Sequence, residues 1–189
     1  TEPFISNFIG KLVRGKGKLR ILEIGCGSGG HLQEAWLANN QVHGLGIDLD
    51  PSVVALARQN MEKWGLSESF EVLQADILKS GPELEGPFEL ITLHNLAYYF
   101  EDKIRLDLFS DLVARLAPNG AIALASNFQG RGRDVGAANL NMATTSMAGC
   151  HPLPEVDFVA GQLKKAGLKK VKKTRLMPGS AFFGLEARV

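Results

Sequence analysis

Residues 21–30 read "ILEIGCGSGG". Ile21, Leu22 and Ile24 surround a single acid, Glu23, and run into a loop with glycine at 25, 27, 29 and 30. A short apolar run that breaks into glycines reads as a buried strand turning tightly into a helix. Glycine at this density strips side-chain bulk from the backbone, as a closely approaching ligand requires.

Two spacings are satisfied at once. Gly25, Gly27 and Gly30 fit G-x-G-x-x-G, the fingerprint in which amides at a helix N-terminus hold a pyrophosphate. Gly25, Gly27 and Gly29 fit the shorter G-x-G-x-G. A tight strand-to-helix turn without a ligand satisfies both, so the loop alone leaves its partner open. Glu23 adds weight, because an unpaired charge inside an apolar strand costs several kcal/mol.

Outward from this loop the chain alternates strand-like and helix-like segments. Leu32, Ala35 and Trp36 mark the inward face of the helix after Gly29, and "VHGLGID" (42–48) reads as a second strand. Asp50 caps a helix with Pro51 at its first position, with Val53, Ala57, Met61 and Trp64 inward and Gly65 ending it. "FEVLQAD" (70–76) is a third strand, the turn-rich "KSGPELEGP" (79–87) follows, and "FELITLHN" (88–95) is a fourth. A helix from Asp102 to Leu116 is expected to bury Ile104, Leu108 and Leu112, and "PNG" (118–120) turns into a fifth strand, "AIALAS". Such alternation predicts parallel strands with right-handed crossovers.

Residues 127–153 make a long excursion whose middle places Ala137, Leu140, Thr144 and Met147 at helical spacing; it reads equally as a lid or substrate wall and as a plain surface excursion. After a last helix with Val156, Val159 and Leu163 inward come two strand-like runs joined only by "PGS". So short a connection can only make a hairpin, because a parallel crossover needs about a dozen residues. The expected fold is therefore α/β: a doubly wound, seven-stranded, mostly parallel sheet with helices on both faces and an antiparallel last strand, within a single domain over 1–189.

The composition fits a globular domain. Of 189 residues, 45% are hydrophobic and 22% charged, and the net charge of +1 makes a nucleic-acid partner unexpected. The lysine-rich "KKAGLKKVKKTR" reads as a solvated helix face and edge strand. No run of eighteen apolar residues is present, and Cys26 and Cys150 read as free thiols, so a cytoplasmic protein without a membrane span is expected. No His, Cys and carboxylate spacing suggests a metal site.

The combined motifs resemble the class I S-adenosylmethionine-dependent methyltransferases. "LEIGCGSGG" is similar to their first motif, "GLGIDLDPSVVALAR" to the second, "QADI" to the third and "LAPNGAIAL" to the entry of the fifth strand, and the terminal hairpin matches as well. The resemblance implies S-adenosyl-L-methionine as cofactor and S-adenosyl-L-homocysteine as its product. It implies that Glu23 orders the loop of Gly25, Cys26, Gly27 and Gly29, that Asp76 accepts from the adenine amino group, and that Ile77 offers its amide while Leu49 packs on the ring. Asp48, at the end of the second strand, can accept from both ribose hydroxyls, because a carboxylate presents two acceptor oxygens.

Methyl transfer from a sulfonium is an in-line displacement at an activated carbon, so positioning can supply most of the catalysis. For a hydroxyl acceptor, His94 is the candidate base at the border of cofactor and substrate, with Asn95 and Tyr98 beside it in "HNLAYYF". His31 and His43 read as structural, whereas His151, in "GCHPLP", is placed either to reach the substrate side or simply in a turn between Cys150 and Pro152. The expected acceptor is a small organic molecule, methylated on oxygen or nitrogen. RNA or protein methylation is the alternative, and a nicotinamide-dependent oxidoreductase or a binding protein without catalysis are more distant rivals. The chain begins at Thr1 and passes through the amphipathic "PFISNFIGKLV", which leads to the expectation of a longer enzyme whose preceding region caps the substrate or forms a homodimer.

Overall fold

A computed structural model describes residues 2–79, 84, 86–130 and 134–189. Parts of the turn-rich 79–87 segment and of the 127–153 excursion lie outside the described residues. The elements run α1 (Glu2–Val13), β1 (Leu19–Ile24), α2 (Gly30–Ala38), β2 (Val42–Asp48), α3 (Pro51–Trp64), β3 (Phe70–Gln74), β4 (Phe88–Leu93), α4 (Asp102–Val113), β5 (Leu116–Asn127), α5 (Val135–Ser146), α6 (Val156–Lys165), β6 (Lys170–Arg175) and β7 (Phe182–Arg188), with a 3₁₀ turn at Ala97–Tyr99.

The strands form one sheet in the order β3-β2-β1-β4-β5-β7-β6. β1 pairs with β2 and β2 with β3 in parallel, whereas β7 runs antiparallel to both β5 and β6. This is the doubly wound, mostly parallel sheet read from the sequence. The hairpin places β7 inside the sheet and leaves the lysine-rich β6 at the edge, where charged side chains oppose pairing with another chain. Among the described residues no helix is long and apolar enough to cross a membrane, and Cys26 and Cys150 are free thiols.

By its contacts the chain divides into two compact units. The first comprises Glu2–Thr92 with Arg115–Gly120. Its α1 buries Ile5, Phe8, Ile9 and Leu12, a helical stripe at spacings of three and four. α3 is capped as expected: Asp50 accepts from the Ser52 and Val53 amides, and Gly65 closes the helix in the left-handed conformation. Its buried face runs through Val54, Ala57 and Met61, one residue on from the expected Val53.

The second unit comprises Leu93–Ala114 with Ala121–Val189. α4 ends at Val113 rather than 116, and its inward face is Arg105, Leu108, Phe109 and Leu112. Ile104, expected inside, is 38% exposed. Turning the helix by one residue buries the large Phe109 ring, and Arg105 becomes admissible inside because every part of its fork finds an acceptor. Nε donates to Gln162 Oε1, Nη1 to the carbonyls of Ala97 and Phe100, and Nη2 to Asp102. Buried arginine is tolerated only when paired and hydrogen-bonded in this way.

Two further expectations change in detail. β5 begins at Leu116 and takes in "PNG", with Asn119 at φ 63°, rather than starting after it. The segment around α5 is stapled to its unit: Asp134 caps the helix by accepting from Ala137 and also accepts from the Ala181 amide, while Asn141 accepts from Leu153. Ala137 and Thr144 are buried as the spacing predicts, but Met147 caps the helix and is 56% exposed.

Candidate active site

In the first unit the glycine loop joins β1 to α2. Gly25, Gly27 and Gly29 have φ of 67°, 55° and 81°, the left-handed region that side chains rarely adopt. A Cβ built on Gly27 meets nothing within 4 Å, so bare backbone there borders open space. A Cβ on Gly29 would lie 2.3 Å from Met61 Cε, so that glycine serves packing against α3 instead. α2 begins at Gly30 with no side-chain cap and no acid in its first turn, which leaves the positive end of the helix for a ligand.

Asp48 ends β2 and reaches back to the loop. Its Oδ2 accepts from the Gly27 amide at 3.0 Å and its Oδ1 from the Asp50 amide at 3.1 Å. Each oxygen keeps a further lone pair, so a diol can still be bound. Sequence reasoning gave Asp48 only the ligand; the structure shows that it also fixes the glycine loop. Cys26 donates its amide to the Ile47 carbonyl and its own carbonyl accepts from the Gly29 amide, which fixes the loop; its thiol is buried beside Gly46, where the Cβ of any larger residue would come 3.1 Å from Sγ, and burial pushes its pKa up to about 12.

Glu23 is 1% exposed and does not stand alone. Its Oε1 lies 2.9 Å from His31 Nδ1, and His31 Nε2 lies 3.2 Å from Glu2 Oε2 at the start of α1. Burial raises the pKa of Glu23, opposed by the hydrogen bond and charge of His31. Burial pulls His31 down, but Glu23 and Glu2 outweigh it and the net shift is upward. With a carboxylate at each ring nitrogen, the protonated imidazolium is the favoured form. Glu23 Oε2 is buried without a hydrogen-bond partner among the described residues. His31 was missed from the sequence as a site residue; the signal was its place in the first turn of the helix, where a tight loop folds it back on the strand.

Asp76 follows β3 in a local turn. It accepts from the Leu78 amide and pairs with Lys79, whose hydrogen bond holds its carboxyl below the usual range. Ile77 is half-buried, and Leu49, beside Asp48, is 66% exposed, an apolar side chain available to cover a ring.

In the second unit His94 directly follows β4 and is buried. Its Nδ1 accepts from the Ala125 amide at 3.0 Å, which places the proton of the neutral ring on Nε2. Asn95 adopts φ 53°, donates its amide to the Ala125 carbonyl, and has a buried Oδ1 without a hydrogen-bond partner among the described residues. Tyr98 stacks on Tyr99 with centroids 4.9 Å apart, and its carbonyl accepts from the His151 amide. Burial pushes the Tyr98 phenol up to about 12, so it is a donor at neutral pH. A cavity of about 560 Å³ lies within this unit, lined by Phe100, Asp102, His151, Leu153 and Phe158 among others.

A family model described as a methyltransferase domain matches residues 21–120, just over half of the chain. The chain belongs to this methyltransferase-domain family. An uncharacterised protein of Haemophilus influenzae is 32% identical over 108 residues, 57% of this chain and 41% of that protein. The ribosomal protein L11 methyltransferase of Xanthomonas campestris pv. campestris is 30% identical over 125 residues, 64% of this chain and 37% of that enzyme. A solved structure of an O-methyltransferase family protein from Burkholderia thailandensis superposes with a TM-score of 0.84 at 18% identity, covering 99% of this chain and 55% of that one. This methyltransferase domain thus spans less than half the length of the curated relatives it matches and about half of the similar structure.

Proposed function

We propose that the protein is an S-adenosylmethionine-dependent methyltransferase that moves a methyl group to an oxygen or nitrogen of a small organic molecule. The observation that carries the cofactor reading is the cradle in the first unit: bare backbone at Gly27, an uncapped α2 N-terminus, Asp48 at the loop and the unmatched buried oxygen of Glu23. These groups suit a ligand with a carboxylate, an ammonium and a diol. Asp48 and the α2 amides would hold the ribose and carboxylate, Asp76, Ile77 and Leu49 the adenine. The bound cofactor supplies a methyl group already activated on a sulfonium.

For the acceptor, support comes from the second unit. The cavity has a volume within the range of small-ligand sites, and its lining sets Phe100, Leu153 and Phe158 beside polar groups of Asp102, Gln129 and His151 that could orient a ligand. Two free thiols favour the cytosol. His94 acts as a donor through Nε2 rather than as the base, because its other nitrogen is committed to a backbone amide and Tyr98 holds its own proton. The chain's contribution is then orientation and exclusion of water.

S-adenosylhomocysteine should raise the melting temperature while NAD leaves it unchanged. Radiolabelled methyl transfer to small phenols, acids and amines, run against RNA and the ribosomal protein acceptor suggested by the Xanthomonas relative, tests the rest. Transfer to a macromolecule alone would reject the small acceptor. His94→Ala should cost one neutral hydrogen bond, about tenfold or less in turnover, whereas a loss of 10²–10⁴-fold would restore it as a base.

A further inference from the structure

Glu23 presents one oxygen to His31 and keeps the other, buried, without a hydrogen-bond partner among the described residues. The first unit therefore holds two carboxylates, Glu23 and Glu2, about one imidazole, on three different elements: β1, α1 and α2. With His31 protonated the trio carries a net charge of −1. A buried acceptor in a set of that charge calls for a cationic donor.

We propose that His31 is a positioning residue of the cofactor site, which holds Glu23 through Nδ1 so that Oε2 accepts from the α-ammonium group of the cofactor's amino-acid end. This inference rests on the S-adenosylmethionine reading and assigns the residue that keeps Glu23 fit for it. A carboxylate this deeply buried is stable as an anion only beside a cation. Without His31 it would take up a proton, lose its charge and present a hydroxyl to the ammonium. Glu2, 74% exposed on its side chain, binds the far nitrogen of the ring and ties α1 to the same arrangement. The nucleoside half of the cofactor lies with Asp48 and Asp76, so the effect of His31 should be confined to the amino-acid half.

Calorimetric titration of the full chain with S-adenosylhomocysteine and with 5′-methylthioadenosine, which has the same nucleoside and thioether but no amino-acid end, separates the two halves. For His31→Gln, which keeps a donor and removes the charge, the dissociation constant of S-adenosylhomocysteine should rise at least about tenfold. That of 5′-methylthioadenosine should stay within about twofold. Equal weakening of both ligands, or of neither, would overturn the role of His31 while leaving the cofactor reading intact. Failure of the wild-type chain to bind either nucleoside would overturn the cofactor reading and this inference with it. If His31→Gln does not fold, Glu2→Ala removes only the exposed bond and should weaken S-adenosylhomocysteine alone by two- to threefold; an unchanged constant there counts against the proposal.

Discussion

Replacing Arg105 with Leu should destabilise the protein by about 3–5 kcal/mol, the range for removing one partner of a buried, hydrogen-bonded charge. Four bonds disappear together. Asp102 is 69% exposed on its side chain and can turn to water, so it contributes little to the loss. Gln162 is 4% exposed and loses the donor to its Oε1, and the carbonyls of Ala97 and Phe100 lose theirs. Each buried acceptor left unsatisfied costs about 1–3 kcal/mol. For a chain of this size the melting temperature should fall by roughly 6–20 °C. Because the two carbonyls belong to the turn that carries Tyr98 and Tyr99, amide exchange there should quicken as well. Arg105→Lys keeps the charge but not the fork and should recover less than half of the loss. A melting temperature within about 2 °C of wild type for Arg105→Leu would show that the network is incidental.

Arg105 also marks where the sequence stops being legible. The mostly parallel, doubly wound class and the antiparallel hairpin followed from alternation and from the short link around "PGS", which the structure extends to residues 176–181, because these depend on local patterns and on connection length. The cap at Asp50 and the stop at Gly65 were equally local. The inward face of α4 was misread because periodicity counts apolar residues and gives no credit to an arginine, whose burial depends on acceptors brought from α6 and from the turn at 97–100. The site divides in the same way. Gly25, Gly27, Gly29 and Asp48 announce themselves by spacing, whereas the pairing of Glu23 with His31 and the commitment of His94 to the Ala125 amide arise only when separate segments meet. Asp48 was legible as an acceptor and illegible as a clamp, since its bond to Gly27 bridges 21 positions in the chain.

That double role sets the expectation for Asp48→Ala. Affinity for S-adenosylhomocysteine should fall by about 1.5–3 kcal/mol, the range for hydrogen bonds to a charged group, which corresponds to roughly 10- to 150-fold in dissociation constant. Two causes contribute: the ribose loses its acceptor, and the Gly27 and Asp50 amides lose theirs, so the loop that borders the ligand is released. They can be separated with an analogue of S-adenosylhomocysteine that lacks both ribose hydroxyls. If Asp48 acts through the diol, the substitution should weaken the parent ligand and barely change the analogue; if it acts through the loop, both should weaken alike, because the loop borders either ligand. Asp48→Asn, which retains one oxygen able to accept from Gly27, should fall between wild type and Ala for the parent ligand. Undiminished affinity of Asp48→Ala for S-adenosylhomocysteine would remove the diol assignment altogether, since no other acid ends a strand beside the glycine loop among the described residues of the first unit.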